Sequence, residues 1–120
     1  MITGAHSIIF AADAERTRAF IRDVLGFAHL DAGDGWLIFK LPPAELGIHP
    51  TEPADSGRHE LYLTCDDIDA TVKELSARGV QFKGPVTNAG FGKLVTLEVP
   101  GGGELGLYQP RHPMATSLPD

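Results

Sequence analysis

Cysteine is nearly absent from this 120-residue chain. Cys65 stands alone, so no intrachain disulfide can form. Its setting, Leu-Tyr-Leu-Thr-Cys-Asp-Asp, reads as the end of a buried strand. Asp66 and Asp67 beside it raise a thiol pKa rather than lower it, which argues for a structural residue and not a nucleophile. Basic residues are also scarce: 10 Lys and Arg stand against 16 Asp and Glu, a formal net charge of −6. With no basic run either, nucleic acid is excluded as an expected partner. No apolar run approaches the roughly 18 residues of a membrane span. Met1 leads straight into strand-like sequence without a charged-then-apolar leader, so a cytoplasmic protein without a membrane partner is expected. Also missing are a phosphate-binding glycine loop, a Cys-rich metal motif and a nucleophile–base–orienter set. Any catalysis is therefore expected to be Lewis-acid chemistry.

What is present is a repeat. Glu45-Leu46-Gly47 returns as Glu104-Leu105-Gly106, and a shift of 53 residues aligns His6 with His59, Asp13 with Asp66 and Gly26 with Gly79. The larger separation of the two Glu-Leu-Gly strings requires an insertion in the middle of the second copy, which loops tolerate. Each copy opens on a short apolar strand, 6–10 or 59–63. Asp13 and Asp66 follow at helix N-cap positions. The helices carry apolar stripes at Phe20, Ile21, Val24 and Leu25, and at Ile68, Val72 and Leu75. Gly26 and Gly79 close them.

Three strands are expected after each helix: 28–32, 36–41 and 45–49 in the first copy, then 81–86, 94–99 and 104–108 in the second. Gly33-Asp34-Gly35, Pro42-Pro43, Gly90-Phe91-Gly92 and the stretch 100–103 punctuate them. Each copy therefore reads β-α-β-β-β. The fold class is α+β, with two tandem modules, 1–50 and 59–110, forming one domain over 1–110 and a tail at 111–120. A four-stranded sheet with one helix leaves a face uncovered, and two such units can curl their open faces into a mixed sheet around a shared cleft. Trp36, Phe39, His49, Phe91 and Tyr108 are candidates to line it. His29 and His112 lie in poorer contexts and are expected to be solvated.

The paired His-x6-Asp strands, Phe-Ile-Arg-Asp-Val-Leu-Gly-Phe at 20–27, the run 66–82 and Gly-Gly-Gly-Glu-Leu-Gly-Leu-Tyr-Gln-Pro at 101–110 resemble the vicinal oxygen chelate superfamily. That group includes glyoxalase I, extradiol dioxygenases, fosfomycin-resistance enzymes and bleomycin-binding proteins. The resemblance implies a divalent metal ion (Zn, Ni, Mn or Fe) on His6, His59 and Glu104. Glu104 doubles as the catalytic proton-transfer group, and the substrate is a small oxygenated metabolite or antibiotic. The implied activity is that of a metal-dependent lyase, dioxygenase, isomerase or transferase. It also implies a homodimer. The last strands depart from the family's pattern: anchored on Tyr108-Gln109-Pro110, Gly106 stands where the usual carboxylate belongs, as Gly47 does in the first copy. Glu104, Glu45 and His49 are the alternatives on the same strands. The glycines favour a second reading, a metal-free module that sequesters an apolar drug or metabolite.

Overall fold

A computed structural model of the chain describes residues 7–9, 11–45, 50, 52–56 and 58–119, the side chain of residue 115 excepted. The expected ligand His6, together with Phe10, Gly47 and His49, lies outside the described residues. The second half forms a complete β-α-β-β-β unit: β3 Tyr62–Thr64, α2 Ile68–Ala77, β4 Phe82–Ala89, β5 Gly92–Val99 and β6 Gly103–Pro110. From the first half come helix α1 Ala14–Phe20, a π turn at Ile21–Leu25, and the hairpin β1 His29–Asp31 with β2 Leu37–Phe39. The fold is α+β, as expected. Residues 7–9, expected as strand, carry no regular structure, and β3 starts at Tyr62 rather than at residue 59.

The four-stranded sheet has the order β3-β6-β5-β4. β6 runs parallel to β3 and antiparallel to β5, and β5 is antiparallel to β4. Alternation decides which face is buried. Val95, Leu97 and Val99 of β5 and Leu105 and Leu107 of β6 point one way and are buried. Ile68 and Leu97 are fully covered, each removing an amount of apolar surface worth about 2 kcal/mol. Their neighbours Glu98, Glu104, Gly106 and Tyr108 point the other way.

Helix α2 is delimited by local chemistry. The Asp67 carboxylate accepts from Ala70 N at 3.1 Å, and Gln109 Oε1 accepts from Ile68 N at 2.8 Å, so two of the helix's free donors are satisfied. At the other end Gly79 takes φ 88°, and the Gly79 and Val80 amides donate back to Ser76 and Leu75. Buried Val80 packs in the same cluster as Leu75, which completes a Schellman ending.

The N-cap is therefore Asp67, not Asp66. Residue 67 holds the extended conformation (φ −140°, ψ 97°) from which a carboxylate reaches the third amide onward. In the first half the cap is Asp13, as expected, accepting from Arg16 N at 3.1 Å, and Gly26 ends the helical run at φ 72°. From cap to terminal glycine the first helical run is one residue longer than the second, and the wider π turn absorbs that residue. The 53-residue alignment thus holds at the helix ends and slips by one at their starts.

Helix α1 packs on the second half's sheet. Phe20 and Ile21 share a cluster with Leu75, Val80, Leu97, Val99 and Leu105. Asp13 N donates to Gly101 O at 3.0 Å, and the buried Thr17 hydroxyl lies 3.0 Å from its acceptor, Pro100 O. Side chains are barred from the contact at Gly101 and Gly102, where an added Cβ would strike Asp13 and Thr17. Among the described residues both helices therefore cover one face and leave the other open. No described helix is long and apolar enough to cross a membrane. Replacement Asp67→Ala should lower stability by about 1 kcal/mol in urea unfolding, and Asp66→Ala by less than half of that.

Candidate functional site

The open face of the sheet is built from alternate residues of three strands. Register sets Tyr62 beside Gly106, Gly106 opposite Thr96, and Tyr108 opposite Leu94. Glycine at 106 has a specific consequence: the Tyr62 ring lies across it, and a Cβ added there would overlap ring atoms Cδ1, Cε1 and Cγ. Next along are Tyr108, edge-on to Tyr62 with centroids 6.3 Å apart, and Phe91, 6.0 Å from Tyr108. His112 approaches Tyr108 from the far side at 5.8 Å. The Tyr108 hydroxyl donates to Phe91 O at 3.1 Å, and Gly92 leaves room for its ring. Phe91 and Tyr108, both expected near a ligand, thus stand side by side. Phe91 remains 56% exposed and Tyr62 44%, so the row is open to a ligand.

Tyr62 hydroxyl donates to Glu60 at 2.9 Å, and Arg58 pairs with the same carboxylate at 3.0 Å. Burial, then Glu60, pushes the Tyr62 phenol above its usual range, and burial followed by Glu45 does the same for Tyr108. Both rings therefore stay neutral through the physiological pH range.

Glu104 lies on this face but is already engaged. Its carboxylate pairs with Lys83 Nζ at 2.5 Å, and Glu98 stands directly opposite it on β5. The hydrogen bond and charge of Glu104 hold the Lys83 ammonium above its ordinary range. His59 is exposed and sits three residues before β3. Counted back from Asp67 by the interval that separates His6 from Asp13 in the sequence, the position reached is Glu60, next to His59. The Glu60 carboxylate meets the Tyr62 hydroxyl, and His59 lies in the irregular segment before β3. Among the described residues no three His, Cys, Asp or Glu side chains come together to hold an ion. Of the metal ligands that the resemblance implies, Glu104 is already paired with Lys83 and the usual carboxylate position is a glycine under the Tyr62 ring, while His6 lies outside the described residues.

Trp36 lies elsewhere. It lines a separate cleft between α1 and β2, where the Arg18 guanidinium rests 5.0 Å from its ring centre. Phe39 lines the same cleft and packs 5.7 Å from His29. His29 and His112 are exposed, as expected. Arg111, the first residue of the expected tail, is tied down: its amide donates to Phe91 O and its guanidinium to Ala89 O. Sequence reading missed Tyr62 and Arg18. Tyr62 becomes visible only when the parallel register of β3 and β6 puts it over Gly106.

A family model described as Glyoxalase/Bleomycin resistance protein/Dioxygenase superfamily matches residues 4–105. No curated protein matches the sequence. Among solved structures, the antibiotic binding protein TnmS3 from Streptomyces sp. CB03234 is 30% identical, with a TM-score of 0.61 over 92% of this chain and 99% of that one. A glyoxalase/bleomycin resistance protein from the same Streptomyces is 31% identical, with a TM-score of 0.57 over 84% and 95%. Lactoylglutathione lyase from Agrobacterium tumefaciens shares the fold, with a TM-score of 0.65 at 16% identity over 89% and 92%.

Two measurements check the site. Gly106→Ala should destabilise by about 1–2 kcal/mol, and a Tyr62→Ala background should remove most of that penalty in a double-mutant cycle. Burial raises the Cys65 thiol pKa above its ordinary value, with Asp66 and Asp67 adding to it. Less thiolate is then present at any given pH, so iodoacetamide should alkylate Cys65 at pH 7.5 several-fold more slowly than a free cysteine.

Proposed function

This chain belongs to the Glyoxalase/Bleomycin resistance protein/Dioxygenase superfamily, and from that premise we propose that it binds and sequesters a small aromatic drug or metabolite without a metal ion. The observation that carries this reading is the Tyr62 ring lying across Gly106. It fills the place of the expected carboxylate and replaces a charged donor with an apolar, π-bearing surface. Tyr108 and Phe91 extend that surface, and each ring stacked on a planar ligand contributes about 0.5–1.5 kcal/mol beyond the area it buries. The likeness to an antibiotic binding protein at 30% identity supports the same reading.

The metal-dependent alternative rested on His6, His59 and Glu104. The Lys83–Glu104 pair weighs against it, because that carboxylate already has a cationic partner. A second copy of the chain is a proposed partner. β3 is an edge strand among the described residues, and an unpaired edge invites another strand. Light scattering should then give a mass near twice 12.8 kDa.

A thermal-shift screen of planar tricyclic aromatics against size-matched aliphatic compounds tests the main reading. Aromatic compounds should raise the melting temperature by several degrees, with or without EDTA. Tyr108→Ala and Phe91→Ala should each weaken binding about tenfold, a loss of about 1.4 kcal/mol. Stabilisation that appears only when Zn, Ni, Mn or Fe is added would sink the proposal.

A further inference from the structure

The cleft at Trp36 is a second hollow, distinct from the aromatic row. It measures about 290 Å³, near the small end of the range for ligand clefts. Its walls are mostly apolar: Ile8 and Ile9, Ile21 of the π turn, and Ile38 and Leu41. Interiors are normally close-packed, so an apolar hollow this size against a helix is a feature to be explained. The apolar side chains at its mouth stay open, Ile8 and Trp36 both 63% exposed.

Among the described residues one charge faces this cleft, and it is positive. Among its lining residues Arg18 is the sole ionisable side chain. The Arg18 guanidinium forms no hydrogen bond or ion pair with any described residue; its contact is the face of Trp36. Cation–π contact holds a guanidinium in place while leaving its N–H groups free in the ring plane. Arg22, Arg58 and Arg78, by contrast, are each paired with a carboxylate. An oriented, unpaired guanidinium over an apolar hollow is complementary to one kind of molecule: a hydrocarbon or aryl group ending in a carboxylate.

We propose that the cleft between α1 and β2 is a binding site for a small amphiphilic organic anion. Its apolar part lies against Ile21, Ile38 and Leu41, and its carboxylate accepts from Arg18 in a charge-assisted pair. The site makes no use of Tyr62, Tyr108 or Phe91, so it stands or falls separately from the aromatic row.

Trp36 is the chain's single tryptophan and reports on the cleft directly. Titration of the full chain with octanoate should change Trp36 emission saturably, and octan-1-ol should bind at least tenfold more weakly. Arg18→Gln, checked for native circular dichroism, should erase that difference by weakening octanoate alone. Should this variant fail to fold, the wild-type protein still decides. Raising NaCl to 1 M should weaken octanoate and leave octan-1-ol unchanged, because only the former relies on charge. Equal affinity for the two probes, or octanoate binding untouched in folded Arg18→Gln, overturns the proposal. So does emission that follows protein dilution and ignores octanoate, since the cleft is then the seat of a second copy.

Discussion

One-sided burial of the β5–β6 pair is the constraint from which the rest of the molecule follows. Val95, Leu97, Val99, Leu105 and Leu107 occupy one face by strand alternation, and both helices are recruited to cover them. Residues in between are delivered to the opposite face by the same alternation. Tyr62, Gly106 and Tyr108 owe their common exposure to the burial of Leu63, Leu105 and Leu107, not to any attraction among themselves. A slip of one residue in β6 would exchange Gly106 for Leu107 under the tyrosine ring and bury Glu104 in the core. The site is thus as firmly specified as the core, because the two are faces of a single register.

Features set by short-range chemistry were legible in the sequence. Gly26 and Gly79 end their helices as read, Asp13 caps α1, and the three strands of the second half fall within a few residues of their expected positions. Asp67 was misread because Asp66 and Asp67 are chemically identical neighbours, and only backbone conformation tells which carboxylate reaches the helix. The π turn concealed the slip, since it restores the alignment at Gly26.

Features that depend on pairing between distant strands were not legible. Phe91 and Tyr108 could be named as aromatics able to line a cleft, but their company could not. Tyr62 reads as one more strand aromatic until β3 lies parallel to β6. Glu104 reads as a free carboxylate until the antiparallel β4–β5–β6 arrangement brings Lys83 to it. The first half's helix is equally deceptive: its stripe predicts a partner surface, and the partner proves to be the other half's sheet.

The bond between Thr17 and Pro100 spans 83 residues of chain. Closing a loop of that size costs entropy before any contact rewards it, whereas the β5–β6 hairpin and the Schellman turn of α2 close almost for free. Synthesis runs in the opposite order. The helix bearing Phe20 and Ile21 leaves the ribosome long before Leu97 exists to receive it, and it must carry its apolar stripe uncovered until the later half has formed. A chain built this way is most exposed to wrong partners midway through its own translation.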